Sequence, residues 1–224
     1  MKNSVDTYRI DQDDSAYPTI LRDWLGDAAP ACLYALGDAA ILRHRLLGLL
    51  CSIQCPGGLI IQTLDAVRVL RDAGVTVIGG FHSPMEQECL DLLLRGEQPV
   101  ILCPARGLKG LRIGPTARRA VKDGRLLVLS PFDERIRRAT AARAVQRNEL
   151  VAASAAAVWI PYAAPGGKTW AAALAALGRQ QPVLTFATAD NGALLAAGAR
   201  PFTEFLVGRG PNADSACSWE GADD

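Results

Sequence analysis

At 224 residues, half of them hydrophobic and 21% charged, the chain has ordinary globular composition, with room for one well-buried domain and an appendage but not for two full-sized domains. It holds no uninterrupted apolar run of about 18 residues, and its opening MKNSVDTYRIDQDD lacks the apolar core of a signal peptide, so a membrane-spanning helix is excluded and a soluble, cytoplasmic protein is expected. The formal net charge of +1 hides an asymmetry: residues 210–224 carry four acids and no Lys or Arg, leaving the rest of the chain with 24 basic against 19 acidic residues, a balance compatible with an anionic ligand or with a solvated Arg-rich helix face.

Residues 1–40 are read as an N-terminal extension packing on a core of residues 41–207. LLGLLC (46–51) predicts a first buried strand, followed by a helix over 60–73 that Gly74 ends. VTVIGG (75–80) predicts a second strand, followed by a helix over 84–95 that Ser83-Pro84 opens and Gly96 closes. PVILC (99–103) and a helix over 115–123 come next, then RLLVLS (125–130) and a helix over 134–153. AAVWIP (156–161), a helix over 168–177 and PVLTF (182–186) complete the alternation. The final GPNADSACSWEGADD lies within an acidic segment, 208–224, expected to be disordered. Short, continuously apolar strands alternating with helices predict an α/β fold, a doubly wound parallel sheet with helices on both faces.

In such a sheet, ligands bind beyond the carboxyl ends of the strands. The segments there are CSIQCPGG (51–58), GGFHSP (79–84), CPARGLKG (103–110), SPF (130–132) and PYAAPGGKT (161–169). They are rich in Gly, Pro and Ser with a few basic residues, which is how a backbone-amide cradle for phosphate is built. The expected phosphate contacts are Ser52, Gly79, Gly80, Arg106, Lys109, Arg147, Asn148, Gly166, Gly167, Lys168 and Thr169. GGKT resembles the end of a P-loop, but residue 162, where that motif needs its first glycine, is Tyr, which argues against an ATPase. The bland alternatives are that Gly166 and Gly167 turn the chain beside a solvated Lys168, and that Arg147 extends the basic surface of Arg135, Arg137, Arg138 and Arg143.

No catalytic constellation stands out, and no cofactor is expected. His82 and Glu86, four apart at a helix start, suit capping or ion pairing better than catalysis. Six cysteines without a CxxC, and only two histidines, argue against a disulfide framework and match no zinc spacing. Whether Cys51, Cys55 and Cys103, at or near strand ends, form a metal or redox site stays open.

From Tyr17-Pro18 to about Phe202 the chain resembles the DNA-processing protein A family (DprA, also called Smf), a branch of the extended Rossmann superfamily that includes the LOG-type nucleotide hydrolases. Tyr17-Pro18 with Leu21 is similar to its "YP..L". The segment Pro30 to Gly37 is similar to its "PP.LY..G". Arg147-Asn148, followed by Leu150-Val151-Ala152, is similar to its "RNR.IA". Gly166-Gly167-Lys168-Thr169 stands where the family has "SGSL.TA", and Asn191 to Leu195 with Gly198-Ala199 is similar to "N.LI..GA". The family's "VGSR" is here Leu50-Cys51-Ser52-Ile53, its "SG.A.GID..AH" is replaced by Gly79 to Glu86, the third residue of "RNR" is Glu149, and nothing after residue 205 resembles the winged helix many members carry.

The resemblance implies binding of single-stranded DNA by a homodimer that hands the strand to a RecA-type recombinase during DNA uptake or repair. The competing expectation is a nucleotide sensor or LOG-like hydrolase using the same pocket, since Pro165 to Thr169 also resembles the "PGG.GT" of those relatives, with Glu86 as candidate carboxylate. The helix after GGKT has no acid where those relatives place a glutamate, which ranks this second. A scaffold that has lost its ligand is a third reading. Candidate aromatics for base stacking near the strand ends are Phe81, Phe132, Trp159, Tyr162 and Trp170.

Overall fold

Period-two alternation in the apolar runs settles which side of the sheet each residue covers. In the structure, a computed structural model that describes residues 6–202, the chain forms β1 (Tyr8–Asp11), α1 (Thr19–Leu25), β2 (Cys32–Leu36), β3 (Leu46–Leu49), α2 (Gly57–Asp72), β4 (Thr76–Gly79), α3 (Pro84–Leu93) and β5 (Val100–Leu102). It continues through α4 (Pro115–Lys122), β6 (Leu126–Ser130), α5 (Ala141–Ala153), β7 (Ala157–Trp159), α6 (Lys168–Gly178), β8 (Val183–Thr185), α7 (Gly192–Ala196) and β9 (Arg200–Pro201). Leu46, Ile78, Leu127 and Leu129 face one apolar core, shared with Leu21 of α1, Leu150 of α5, Ala173 of α6 and Leu194 of α7. Their neighbours Leu47, Val77, Leu126 and Val128 face the other, shared with Val67 of α2, Leu93 of α3 and Ala120 of α4. Each fully buried Leu or Val contributes about 1.5–3 kcal/mol relative to exposure, which is why a sheet covered on both faces needs continuous apolar runs.

The sheet has nine strands in the order β1-β2-β6-β5-β4-β3-β7-β8-β9. From β6 to β9 every pairing is parallel, as the alternating pattern predicts. At the other edge β1 and β2 are antiparallel, with Tyr8 opposite Ala35, and β2 is antiparallel to β6, with Ala35 opposite Leu129. Residues 8–36 therefore add two strands to the same sheet. Tyr17 anchors this region by donating its hydroxyl to the Pro30 carbonyl at 2.7 Å.

One predicted helix is corrected at its start. The helix expected over 134–153 begins only at Ala141, where Thr140 caps it by accepting from the Arg143 N–H at 3.3 Å. Residues before it are drawn into a turn instead: the Arg135 N–H donates to the Asp133 side chain, and the Gly107 N–H donates to the Ile136 carbonyl at 2.8 Å. The 208–224 segment lies outside the described residues. Among the described residues no helix is long and apolar enough to cross a membrane.

Candidate functional site

The order of the strands creates a break at the centre of the sheet. From β3 the chain passes through α2, on one face, to β4; β7 lies on the other side of β3 and is followed by α6, on the opposite face. Such a reversal, at the carboxyl ends of β3 and β7, is where doubly wound sheets place their ligands. Ser52 crosses from one loop to the other. Its N–H donates to the Tyr162 carbonyl at 3.0 Å, and its Oγ accepts from the Ala164 N–H at 3.0 Å.

Helix N-termini stand on both sides of this crossing. α2 follows Pro56 and α6 follows Gly167, and neither first turn receives a side-chain cap. Gly166, at φ +73°, makes the left-handed turn that brings the chain into α6, a conformation strained for a residue with a Cβ. Uncapped first-turn amides and the helix dipole give partial positive charge to each end. Lys168, the first residue of α6, is exposed, and Thr169 beside it is buried.

The ends of β4 and β5 are organised around Arg147. α5 carries it inward, leaving it only 5% exposed, with Asn148 at 8%. The guanidinium lies against the backbone of Gly80, where any Cβ would overlap it. Its Nε donates to Asn148 Oδ1 at 2.8 Å and its Nη1 to the Cys103 carbonyl at 3.1 Å. Burial lowers the guanidinium's proton affinity, and the nearby Glu86 charge works the other way. The adjacent Cys103 thiol is pushed up to about 12 by burial.

Glu86, 5% exposed, fills a concavity of backbone amides at the β4 end. Its Oε1 accepts from the Cys51 N–H at 3.3 Å, and its Oε2 from the His82 and Ser83 N–H groups, each at 3.0 Å. Ser83 returns the contact by accepting from the Glu86 N–H, completing a capping box with Pro84 in the first turn of α3. The capping role expected of Glu86 is thus present, and the carboxylate's two oxygens are engaged. Phe81, just before, has φ +44°, which an aromatic residue rarely adopts; nothing in the sequence signals this strain.

The expected site residues fall into two groups. Ser52, Gly79, Gly80, Arg147, Asn148 and Gly166 to Thr169 line the carboxyl edge from β5 across β4 and β3 to β7. Arg106 and Lys109 lie to one side, in the loop after β5: Arg106 folds back onto the carbonyls of Gly107 and Lys109, and Lys109 pairs with Glu134 at 3.2 Å. Of the stacking candidates, Phe81, Phe132 and Trp159 are core residues, Trp159 stacked on Phe202 at 4.3 Å, while Tyr162 and Trp170 are half-buried. Cys103 closes β5, two strands from β3 and Cys51, and among the described residues no group of three His, Cys, Asp or Glu side chains is placed to hold a metal.

Residues 9–201 match the sequence profile of the family described as DNA recombination-mediator protein A. The chain belongs to that family. Among solved structures it is similar to DNA processing protein A from Helicobacter pylori, with 20% identity and a TM-score of 0.71 over 93% of this chain and 97% of that one; that protein binds single-stranded DNA. It is also similar to DNA processing protein A from Streptococcus pneumoniae, with 15% identity and a TM-score of 0.74 over 93% of this chain and 75% of that one. At these identities the likeness establishes the fold. No curated protein sequence matches the chain. The family resemblance carried by the YP, RN and N-x-L segments therefore stands, and their contacts give it a physical basis: Tyr17 ties to Pro30, Arg147 to Cys103, and Asn191 donates to the Pro161 carbonyl at 2.9 Å.

Proposed function

We propose that this protein binds single-stranded DNA through its phosphate backbone, along the carboxyl edge of the sheet, and passes the strand to a RecA-type recombinase during DNA uptake or repair. The observation that carries the reading is the pair of uncapped helix N-termini, α2 and α6, flanking the Ser52 crossing, with Lys168 exposed at the mouth. Anions are stabilised at such ends by unpaired amides and by the dipole. Arg147, Asn148 and the glycines at 79 and 80 extend the edge toward β5. Family membership and the strand-binding relative from Helicobacter pylori support DNA as the source of the phosphate.

Contacts independent of base identity fit this surface, because most of the nearby aromatic rings are committed to the core. A nucleotide hydrolase is less well supported: Glu86, the candidate carboxylate, accepts from three backbone amides. Action as a homodimer, in the cytoplasm, belongs to the same proposal.

A titration with labelled oligo-dT at two salt concentrations, with nucleoside monophosphates as competitors, tests it. Salt-sensitive binding that the monomers do not displace is expected. Binding or turnover of one nucleotide, with no strand binding, would move the protein to the nucleotide class.

A further inference from the structure

Positive charge is concentrated on one flank of the sheet. Residues 104–143, which run from the end of β5 through α4 and β6 into the first turn of α5, hold 11 basic and 3 acidic side chains, a net of +8; the other 184 residues hold 13 and 20, a net of −7. The two loops of this segment lie together: the Gly107 N–H donates to the Ile136 carbonyl and the Ser130 Oγ to the Arg106 carbonyl, each at 2.8 Å.

All three acids are engaged within the segment itself. Asp133 pairs with Arg135 at 2.8 Å, Glu134 with Lys109 at 3.2 Å, and Asp123 with Arg119 and Arg125 at 3.6 and 3.8 Å. Arg112, Arg118, Lys122, Arg137 and Arg138 are left exposed, with no ion pair among the described residues. A solvated helix face ordinarily mixes the signs, as α2 does, where Arg68 pairs with Asp65 and Arg71 with Asp72. α4 differs: Ala117, Ala120 and Val121 are buried, and Arg118, Arg119 and Lys122 are exposed.

Helix dipoles do not account for this placement. Arg119 and Lys122 suit the C-terminal end of α4, but Arg112 and Arg118 stand near its N-terminal end, where Gly114 supplies no side-chain cap and the first turn has no acid. α5 repeats the pattern, with Arg137 and Arg138 shortly before it, Arg143 in its first turn, and again no acid. Cations near these two ends oppose both dipoles. An anion lying over them offsets that repulsion and meets the arginines at once.

We propose that this flank is a second phosphate-binding surface, on which Arg112, Arg118, Lys122, Arg137 and Arg138 hold the part of a DNA strand that runs past the Ser52 crossing. For the first part of the strand this rests on the reading given under Proposed function. The two surfaces share one edge: in the order β6-β5-β4-β3-β7 the ends of β6 and β7 are four spacings apart, roughly 19 Å at ~4.8 Å each. Arg147 and the glycines at 79 and 80 stand at the strand ends between them. Charged ends on long stems meet phosphates without reading bases, so the flank adds affinity and salt dependence but no sequence preference.

The test compares two strand lengths on the full chain: oligo-dT of about 6 nucleotides, at the low end of common single-strand sites, and of about 30. The flank variant carries Arg118→Ala, Lys122→Ala, Arg137→Ala and Arg138→Ala; a control removes as many exposed cations elsewhere, through Arg9→Ala, Arg43→Ala, Arg68→Ala and Arg95→Ala. For the long strand the flank variant is expected to lose roughly ten-fold in affinity and about 2 to 3 in salt slope, at about 0.7 per contact, while the control keeps the wild-type slope. Binding of the short strand should stay within two-fold of wild type in both. A wild-type slope for the long strand in the flank variant, or an equal drop in the control, would overturn the proposal and leave the flank to an acidic protein or to net charge alone. Should the short strand also depend on these four residues, the reading of the Ser52 crossing fails while the flank stands; no binding of either length by the wild type sinks both.

Discussion

The guanidinium of Arg147 occupies the space that a side chain on Gly80 would fill, so the family's RN segment and the end of β4 fit together only with glycine at position 80. An α5 helix delivers the cation, and a bare backbone accepts it. That relationship converts a sequence motif into a fixed charge at the sheet edge.

Gly80→Ala is therefore expected to displace the guanidinium, at a cost of about 1–3 kcal/mol typical of overpacking. Loss of the bond to the Cys103 carbonyl adds to it, because that acceptor is buried. Chemical denaturation checks this; a wild-type midpoint would mean that Arg147 is held less tightly than its contacts indicate.

Glu86→Gln keeps the shape but replaces one acceptor oxygen with a donor facing backbone N–H groups. A loss of about 1–3 kcal/mol is expected from the mismatched buried donors. Amide exchange should quicken at Cys51, His82 and Ser83, the three groups that the carboxylate holds. Unchanged exchange at all three would remove Glu86 from its role as organiser of the β4 end.

Asp133 gives a pH signature. Hydrogen bonds from the Arg135 side chain and backbone hold its carboxyl down to about 2, against an ordinary 3.8. A carboxylate depressed in the folded chain contributes stability that is fully present above its unfolded value and is lost as pH falls through the folded one. The contribution should thus decline between about 3.8 and about 2. A carboxyl NMR titration is expected to place the Asp133 midpoint near the lower value, and Arg135→Ala to raise it; a wild-type midpoint at the ordinary value would contradict the geometry.

Lys168 and Lys109 separate the two groups of candidate residues. Lys168 is exposed with no ion pair among the described residues, whereas Lys109 is bridged to Glu134. Removing one phosphate contact from a single strand lowers the salt slope by about 0.7. Lys168→Ala should show that drop and Lys109→Ala a smaller one, measured by oligo-dT titration at several salt concentrations. Equal slopes for both variants and the wild type would place the strand elsewhere.

Much of this was legible in the residues alone. Continuous apolar runs between glycine stops specify parallel strands, because burial on both faces leaves no room for polar alternation; the six strands expected from 46 to 186 are present. The antiparallel edge was missed because YRID and CLYAL are short and partly polar, as edge positions permit. The helix start at 134 was misplaced because apolar spacing says little where Asp133 and Thr140 compete for nearby amides. At the site, residue types point to the strand ends but not to how the candidates divide: where Arg106 and Lys109 turn depends on local carbonyls and on Glu134, which only folding brings near.

The central claim is that a DNA strand lies over the β3 and β7 loops. Hydrogen exchange of the whole protein with and without oligo-dT tests it most directly. Protection concentrated in residues 52–58 and 164–170 is the result this account expects; protection confined to the β1–β2 edge, with those two loops unchanged, would contradict it.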